Sequence, residues 1–229
     1  MKAPHPCIYC HHSLYHLSDG MVKCSSCKKK YSPKKVETIL NLVDLFCHDH
    51  NASDGAKIVE ISYGAALKYY QEFRKLLIEH CEEEYHNNRK NESEYEEYIY
   101  QEKSKRNQKS AIFDAHNFLT FAYGEKVYNI LMPSLNLYKQ QFIKDDLEEI
   151  YEKEFSHFMR SSKLIKITKY DHTMTRFWHY FETFIIAFKG VSREYFPYYL
   201  KEAEFKFNTP IKKRREILEQ LYFRPITKD

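Results

Sequence analysis

Residues 7–27 read CIYCHHSLYHLSDGMVKCSSC, and the four cysteines of this stretch are the most informative feature of the sequence. Cys7 and Cys10 form one C-x2-C pair, Cys24 and Cys27 form a second, and thirteen residues separate the pairs. This spacing lets two pairs of thiolates close around one ion, and four sulfur ligands in a tetrahedral shell favour a structural Zn2+. A disulfide framework or four unrelated thiols are the alternatives. We predict one zinc ion and a zinc ribbon over residues 1–33.

The composition is that of a folded globular protein. Among the 229 residues, 30% are charged and 43% are hydrophobic, which is not the balance of a disordered chain. No apolar run is long enough to cross a membrane, and no apolar leader follows the first methionine, so we expect a cytoplasmic protein without a membrane partner. Glycine-rich phosphate-binding loops are absent from the sequence, so no nucleotide cofactor is expected.

Positive charge is concentrated at the N-terminus. Residues 1–35 contain seven lysines and one aspartate, and Lys28, Lys29 and Lys30 directly follow the last ribbon cysteine. A basic segment beside a zinc module is typical of nucleic-acid binding, whereas a solvated lysine face is the simpler alternative. We predict that these lysines contact double-stranded DNA. The sequence leaves a homo-oligomer open.

A helix-turn-helix domain is predicted over residues 34–81. Helical patterns cover residues 36–50, a short stretch around 57–59, and residues 63–80, with a turn and a serine cap before the third helix. The start of that third helix would face the groove of DNA, and the next turns would supply phosphate contacts or packing residues. The residues predicted to do so are Ser62, Tyr63, Lys68 and Tyr69, followed by Arg74 and Lys75.

The remaining chain reads as strands followed by helices. Residues 82–93 are acidic and are interpreted as a linker or the exposed end of a helix. Aromatic and β-branched residues predict strands at 95–101, 111–123 and 126–132, and helices follow from about Met174. The fold class predicted is α+β or mixed α/β, with residues 94–229 as one domain that has a helical C-terminus.

Three stretches resemble one family of proteins. They read CSSCKKKYS at residues 24–32, ISYGAALKYYQEFRKLL at 61–77, and RFWHYFETFIIAFKGVSREYFPYYLKEAEFKFN at 176–208. They are similar to insertion-sequence transposases of the ISXO type, over roughly residues 7–80 and 176–222. The resemblance implies a zinc ribbon, a helix-turn-helix and, for residues 94–229, an RNase-H-like core with a DDE metal site.

The sequence departs from the family where the metal-binding carboxylates are expected. Two-metal phosphoryl transfer needs convergent carboxylates to hold the ions. Aligned with the family pattern, the first position carries Tyr98 or Tyr100, the second Lys153 and the third Thr175. We therefore expect a catalytically degenerate relative with no catalytic residue.

Three functions remain open on these observations. The first is a transposase-derived DNA-binding protein without a catalytic metal site, and so not an enzyme. The second is an active transposase that uses displaced carboxylates. The candidates for that role are Glu96, Glu97, Asp114, Glu152 and Asp171. The third is a protein-interaction module in which zinc is purely structural.

Overall fold

A computed structural model of the chain describes residues 6–88, 94–102, 115–134, 173–188 and 190–224. These residues contain two small antiparallel sheets and six helices, so the mixed α/β prediction is confirmed. The chain divides into two compact units. The N-terminal unit combines Met1–His80 with Thr209–Asp229, and the central unit is Cys81–Asn208.

The strands are β1 (Leu14–His16), β2 (Val22–Cys24), β3 (Lys30–Tyr31), β4 (Glu94–Tyr100), β5 (His116–Tyr123) and β6 (Lys126–Leu131). The helices are α1 (Pro33–Cys47), α2 (Ala52–Ile58), α3 (Tyr63–Asn88), α4 (Thr173–Ile186), α5 (Phe196–Asn208) and α6 (Ile211–Tyr222).

In the N-terminal unit a three-stranded sheet with the order β1-β2-β3 precedes helix α1. Ser32 caps α1 by accepting a hydrogen bond from the Lys35 amide, and Pro33 occupies the first helical position, where its missing N–H costs nothing. The apolar face of α1 is buried through Ile39, Leu42, Val43, Phe46 and Cys47.

Helices α1 and α2 both end in Schellman motifs built on acidic residues. Asp49 and Glu60 adopt φ angles of 65° and 58°, in the left-handed region that usually selects glycine. The His50 amide then donates to the Leu45 carbonyl, and the Ile61 amide donates to the Ala56 carbonyl, both at 3.0 Å. These closures make both turns sharp, so three helices fit within residues 33–88.

Close approach between α2 and α3 depends on Gly55. A Cβ atom at this position would lie 2.9 Å from the Tyr70 hydroxyl oxygen and 3.4 Å from a methyl group of Leu42. Tyr70 is fully buried and meets the rings of Phe46 and Phe73. The backbone of α2 therefore lies directly against the aromatic core of this unit.

Helix α6 belongs to the N-terminal unit. The sequence instead predicted one domain over residues 94–229, which would include this helix. The Arg214 guanidinium donates to the Cys47 carbonyl at the end of α1, at 3.1 Å. Arg215 donates to Asp44 at 3.1 Å, and Leu218 is fully buried. The arginines of the basic segment at 212–215 thus fasten α6 to the C-terminal turn of α1.

In the central unit the second sheet has the order β4-β5-β6, and helix α4 packs on one of its faces. Alternate residues of β4 and β5, including Tyr98 and Phe118, meet Trp178 and Phe181 of α4 in an aromatic core. The predicted strands at 95–101 and 126–132 are confirmed to within one residue. In place of the strand predicted at 111–123, the structure has β5 at His116–Tyr123, and residues 111–114 lie outside the described part.

Helix α5 uses buried polar side chains to cover the backbone of β6. The Asn208 side chain accepts from the Val127 amide at 2.9 Å and donates to the Val127 carbonyl at 2.7 Å. One carboxylate oxygen of Glu204 accepts from the amide and the side chain of Asn129. Backbone groups that an edge strand leaves unpaired are thereby satisfied.

The acidic segment is helical as far as it is described. Residues 82–88 continue α3 without a break, in agreement with the helix-end interpretation rather than the linker, and residues 89–93 lie outside the described part. Cys81 and Tyr85 are buried, and Tyr85 stacks on Tyr128 at 4.3 Å. None of the helices described is long and apolar enough to cross a lipid bilayer.

Candidate metal centre and nucleic-acid interface

The four cysteine thiols of the first sheet converge on one point. Their sulfur atoms all lie within 4.8 Å of one another. The distances are 3.8 Å between the sulfurs of Cys7 and Cys27 and 3.4 Å between those of Cys10 and Cys24. All four cysteines are free, and a tetrahedral thiolate shell around zinc would place its sulfurs about 3.8 Å apart. The arrangement can hold one metal ion, and the sulfur donors suit zinc.

The two C-x2-C turns are built in the same way. The amide of Cys7 donates to the carbonyl of His12, and the amide of Cys24 donates to the carbonyl of Lys29, five residues further on in each case. The residue after each second cysteine, His11 or Lys28, has a positive φ angle of 58° or 60°. Each turn therefore presents its two thiols from a closed loop, and residue 28 has a backbone role besides its charge.

The surroundings of Cys24 and Cys27 shift the pKa values of these two thiols in opposite directions. Burial disfavours the thiolate of Cys24, but hydrogen bonds from the backbone N–H groups of Ser26 and Cys27 and from the Cys10 and Cys27 thiols together outweigh this effect and lower the pKa of Cys24 to about 6. A backbone hydrogen bond from Lys29 lowers the pKa of Cys27, but burial and the Cys10, Cys24 and Cys7 thiols outweigh it and raise this pKa to about 11. Thiolate is the form that coordinates a metal, so the environment of Cys24 favours the ligand state at that residue.

The three lysines after the ribbon have different surroundings. The Lys28 ammonium donates to the Ser25 carbonyl at 2.6 Å, and the Lys30 ammonium pairs with Asp19 at 2.7 Å. The Lys29 ammonium lies 3.9 Å above the ring of Tyr9. Lys28 and Lys30 are exposed and Lys29 is half-buried, so all three keep some access to solvent.

The start of helix α3 is open to solvent. The predicted serine cap is confirmed, because the Ser62 hydroxyl accepts from the Ala65 amide at 3.3 Å. Tyr63 is 55% exposed. Lys68 and Lys75 are exposed, and Tyr69 is half-buried. A hydroxyl, an aromatic ring and an ammonium group are thus accessible within the first two turns of the helix.

Arg74 does not belong to this exposed set. It is only 2% exposed, and its guanidinium carbon lies 5.8 Å from the ring centre of Phe46 and 5.9 Å from that of Tyr70. Two roles were predicted for this residue, phosphate contact and packing. Because Arg74 is buried, it cannot contact a DNA phosphate in this conformation. The arginine is part of the helical core.

At the first position where the resemblance leads us to expect a metal-binding carboxylate, both candidate residues form core contacts. Tyr98 and Tyr100 are both buried on the face of β4 that meets α4. The Tyr98 ring stacks on Trp178 at 4.8 Å, and its hydroxyl donates to Glu182. Thr175 lies in the first turn of α4, and Lys153 is outside the described residues.

Two of the displaced carboxylates can be located. Glu96 and Glu97 are adjacent exposed residues of β4, so their side chains point to opposite faces of the sheet. Glu97 accepts from the Asn117 side chain at 3.3 Å. Asp114, Glu152 and Asp171 lie outside the described residues. Within the described ranges, the four cysteines form the one cluster of three or more metal-ligating side chains.

One contact near the metal centre was not predicted from the sequence. Tyr9, between the first two cysteines, meets the ring of Phe223 edge-on at 5.9 Å. The two residues are far apart in sequence, and helical periodicity indicates which face of α6 is apolar but not which element covers it. The one sequence feature that could have indicated this contact is Phe223, an aromatic residue directly after the helix.

Comparison with known proteins gives one significant curated relative. The chain is 28% identical over 116 aligned residues to an "Uncharacterized transposase-like protein" of Haemophilus influenzae, which covers 42% of this chain and 93% of that protein. No protein-family model matches the chain. No solved structure matches it either. The similarity supports a relationship between this chain and transposase-like proteins.

Proposed function

We propose that this chain is a transposase-related zinc protein that binds double-stranded DNA and lacks an intact DDE metal site. The observation that carries the proposal is the convergence of Cys7, Cys10, Cys24 and Cys27 in a chain similar to a transposase-like protein. Zinc is the ion we assign to this centre, because its sulfur separations and free thiols suit a tetrahedral thiolate site.

DNA binding is assigned to the N-terminal unit, with helices α1–α3 as the helix-turn-helix. The exposed start of α3 offers Ser62 and Tyr63 to a groove and Lys68 to a phosphate that flanks it. Lys28, Lys30 and Lys75 would contact phosphates, since they are exposed ammonium groups. Arg74 is left out of this interface because it is buried.

The central unit is assigned as an RNase-H-like scaffold without catalysis. Its antiparallel meander β4-β5-β6 supports this assignment, and residues 135–172, between β6 and α4, lie outside the described part. The support for inactivity is that the candidate first position is a buried tyrosine engaged with α4 in either register. A phenol in the core cannot replace a carboxylate as a ligand of two Mg2+ ions.

The test of DNA binding is a salt titration of duplex affinity with paired variants. Lys68→Ala should reduce the slope of log affinity against log salt by about 0.9, the value for one lost phosphate contact, whereas Lys68→Arg should keep it. Lys28→Gly removes a charge, and glycine suits the positive φ angle of residue 28. His11→Gly is the control, because His11 has a similar φ angle at the equivalent position of the first C-x2-C turn.

The results separate the three functions. Salt-dependent affinity weakened by Lys68→Ala and Lys28→Gly supports the proposal. Absence of duplex binding by zinc-loaded protein would favour the protein-interaction module. Cleavage of DNA that requires Mg2+ or Mn2+ would favour the active transposase.

A further inference from the structure

The last residues of helix α6 contact two different parts of the N-terminal unit. The Tyr222 ring meets Phe73 of α3 edge-on at 5.5 Å, and its hydroxyl donates to Glu72 at 3.2 Å. Phe223, which follows directly and is buried, meets Tyr9 edge-on at 5.9 Å. Two adjacent aromatic residues therefore connect helix α3 with the first C-x2-C turn.

Tyr9 is held in place by the turn that carries two of the sulfur ligands. It lies between Cys7 and Cys10, meets Tyr31 edge-on at 5.5 Å and has the Lys29 ammonium 3.9 Å above its ring. The amide of its neighbour Ile8 donates to the Tyr31 hydroxyl at 3.1 Å. The position of the Tyr9 ring thus depends on a closed turn.

We propose that metal binding at the four cysteines also fixes the C-terminal helix α6 and, through Tyr222, the helix α3. Small modules closed by a structural zinc ion fold when the ion binds, so the ribbon is an element with two states. Only the closed state presents Tyr9 to Phe223. Zinc bound at one end of this unit therefore stabilises the contact of α6 with α3.

The same helix is fastened at its other end by contacts that do not involve the ribbon. Arg214 donates to the Cys47 carbonyl, and Arg215 donates to Asp44, both at 3.1 Å. Loss of zinc would therefore loosen the last turn of α6 first, around Leu221 and Tyr222, while the first turn stays against α1. The coupling predicts a graded change along one helix.

Reciprocity gives the sharpest test of the proposal. If zinc favours docking of α6, docking of α6 must raise the affinity for zinc by the same factor. Phe223→Ala removes the ring that meets Tyr9 and should weaken zinc binding about tenfold, the scale of one lost aromatic pair. Competition with a colorimetric chelator on the full chain measures this change.

Matched variants keep the test interpretable. Ile211→Ala removes an exposed apolar side chain at the start of the same helix and should leave the zinc affinity unchanged. Phe223→Leu keeps a bulky apolar side chain and should weaken zinc binding less than the alanine variant. If Phe223→Ala does not fold, the leucine variant compared with Ile211→Ala supplies the measurement.

Hydrogen exchange provides a second readout that does not require DNA. Removing zinc from the wild-type chain should speed amide exchange in the ribbon and in residues 219–223 by at least about tenfold. The strands β5 and β6 serve as the internal standard. Zinc-loaded Phe223→Ala should show the faster exchange at 219–223 without zinc removal.

The coupling between zinc and α6 and the proposed DNA binding can fail separately. Any effect of the coupling on DNA rests on the proposed function. Unchanged zinc affinity in folded Phe223→Ala, or unchanged exchange at 219–223 after zinc removal, would overturn the coupling whatever the DNA result. Wild-type protein that shows the coupling but binds no duplex would overturn the proposed function alone. If both hold, Phe223→Ala should also bind DNA more weakly.

Discussion

Tyr98 donates a hydrogen bond from its hydroxyl to the carboxylate of Glu182, and its ring stacks on Trp178 at 4.8 Å. These contacts join strand β4 to helix α4 from the middle of the strand. In the family that the sequence resembles, a metal-binding aspartate is expected at this position or at that of Tyr100. Here the side chain contributes to packing, which is why we assign the unit as a scaffold.

The hydrogen bond between Tyr98 and Glu182 should contribute measurably to stability. Tyr98→Phe keeps the stacked ring but removes the donor to a half-buried carboxylate, and we expect a loss of about 1–2 kcal/mol in the free energy of unfolding. Chemical denaturation of zinc-loaded protein measures this loss. Tyr95→Phe on the same strand, where the tyrosine is 65% exposed, should be neutral. Equal stability of both variants would show that the hydroxyl contributes nothing.

The contact between α2 and α3 leaves no room for a side chain at residue 55. Gly55→Ala gains up to about 1 kcal/mol in helix propensity but brings a methyl group within 2.9 Å of the Tyr70 hydroxyl. Since Tyr70 is fully buried, the strain should exceed the gain, with a net loss of about 1–2 kcal/mol.

Removing the obstructing hydroxyl should rescue this variant. The double variant Gly55→Ala with Tyr70→Phe leaves the nearest ring carbon at an ordinary 3.5 Å. Thermal unfolding of the four proteins in the cycle should therefore show a favourable coupling between the two changes. Strict additivity would indicate that the strain lies elsewhere.

Glu60 offers the opposite experiment, a stabilising change. Its φ angle of 58° is unfavourable for a residue with a Cβ atom. Glu60→Gly should raise the free energy of unfolding by about 0.5–1 kcal/mol, because the turn after α2 keeps its hydrogen bond to Ala56. The exposed Ser53→Gly, inside α2, should be destabilising.

These turns also show where prediction from the sequence ends. Asn51 and Ser62 were predictable as helix caps because serine and asparagine carry the acceptor that a helix start needs. Asp49 and Glu60 were not predictable as helix ends, since the left-handed position is usually read from a glycine. The metal centre needed only local spacing, so the four cysteines could be identified from the sequence alone.

Of the two roles predicted for Arg74, helical periodicity alone favours packing. The buried residues of α3 include Ala66, Tyr70, Phe73 and Leu77, and position 74 lies four residues after Tyr70 on the same stripe. Its charge kept a phosphate contact open as the other role. The return of α6 to the N-terminal unit depends on contacts across more than a hundred residues, which no local pattern contains.

Glu204 should give the central unit a specific pH dependence. Burial raises the pKa of this carboxyl above its usual 4.5, although the Lys201 ammonium opposes the shift. The folded chain then binds the proton more tightly than the unfolded chain. This group's contribution to stability therefore falls as pH rises from 4.5 through the folded pKa.

Glu204→Gln should remove that dependence. The difference in unfolding free energy between wild type and variant should shift in favour of the variant as the pH rises across this window. Urea denaturation at a series of pH values measures it, with exposed Glu79→Gln as the control. A difference that is flat with pH, or that shifts in favour of the wild type, would contradict the raised pKa.

The central proposal for this chain is that it binds DNA without cutting it. Its most direct test incubates zinc-loaded protein with a labelled duplex and Mn2+ at low salt, and divides each sample between an affinity measurement and a denaturing gel. We predict that the duplex is bound, that binding weakens steeply as salt rises, and that the strands stay intact. Nicked or joined strands that disappear in Glu97→Gln would overturn this proposal and identify an active transposase.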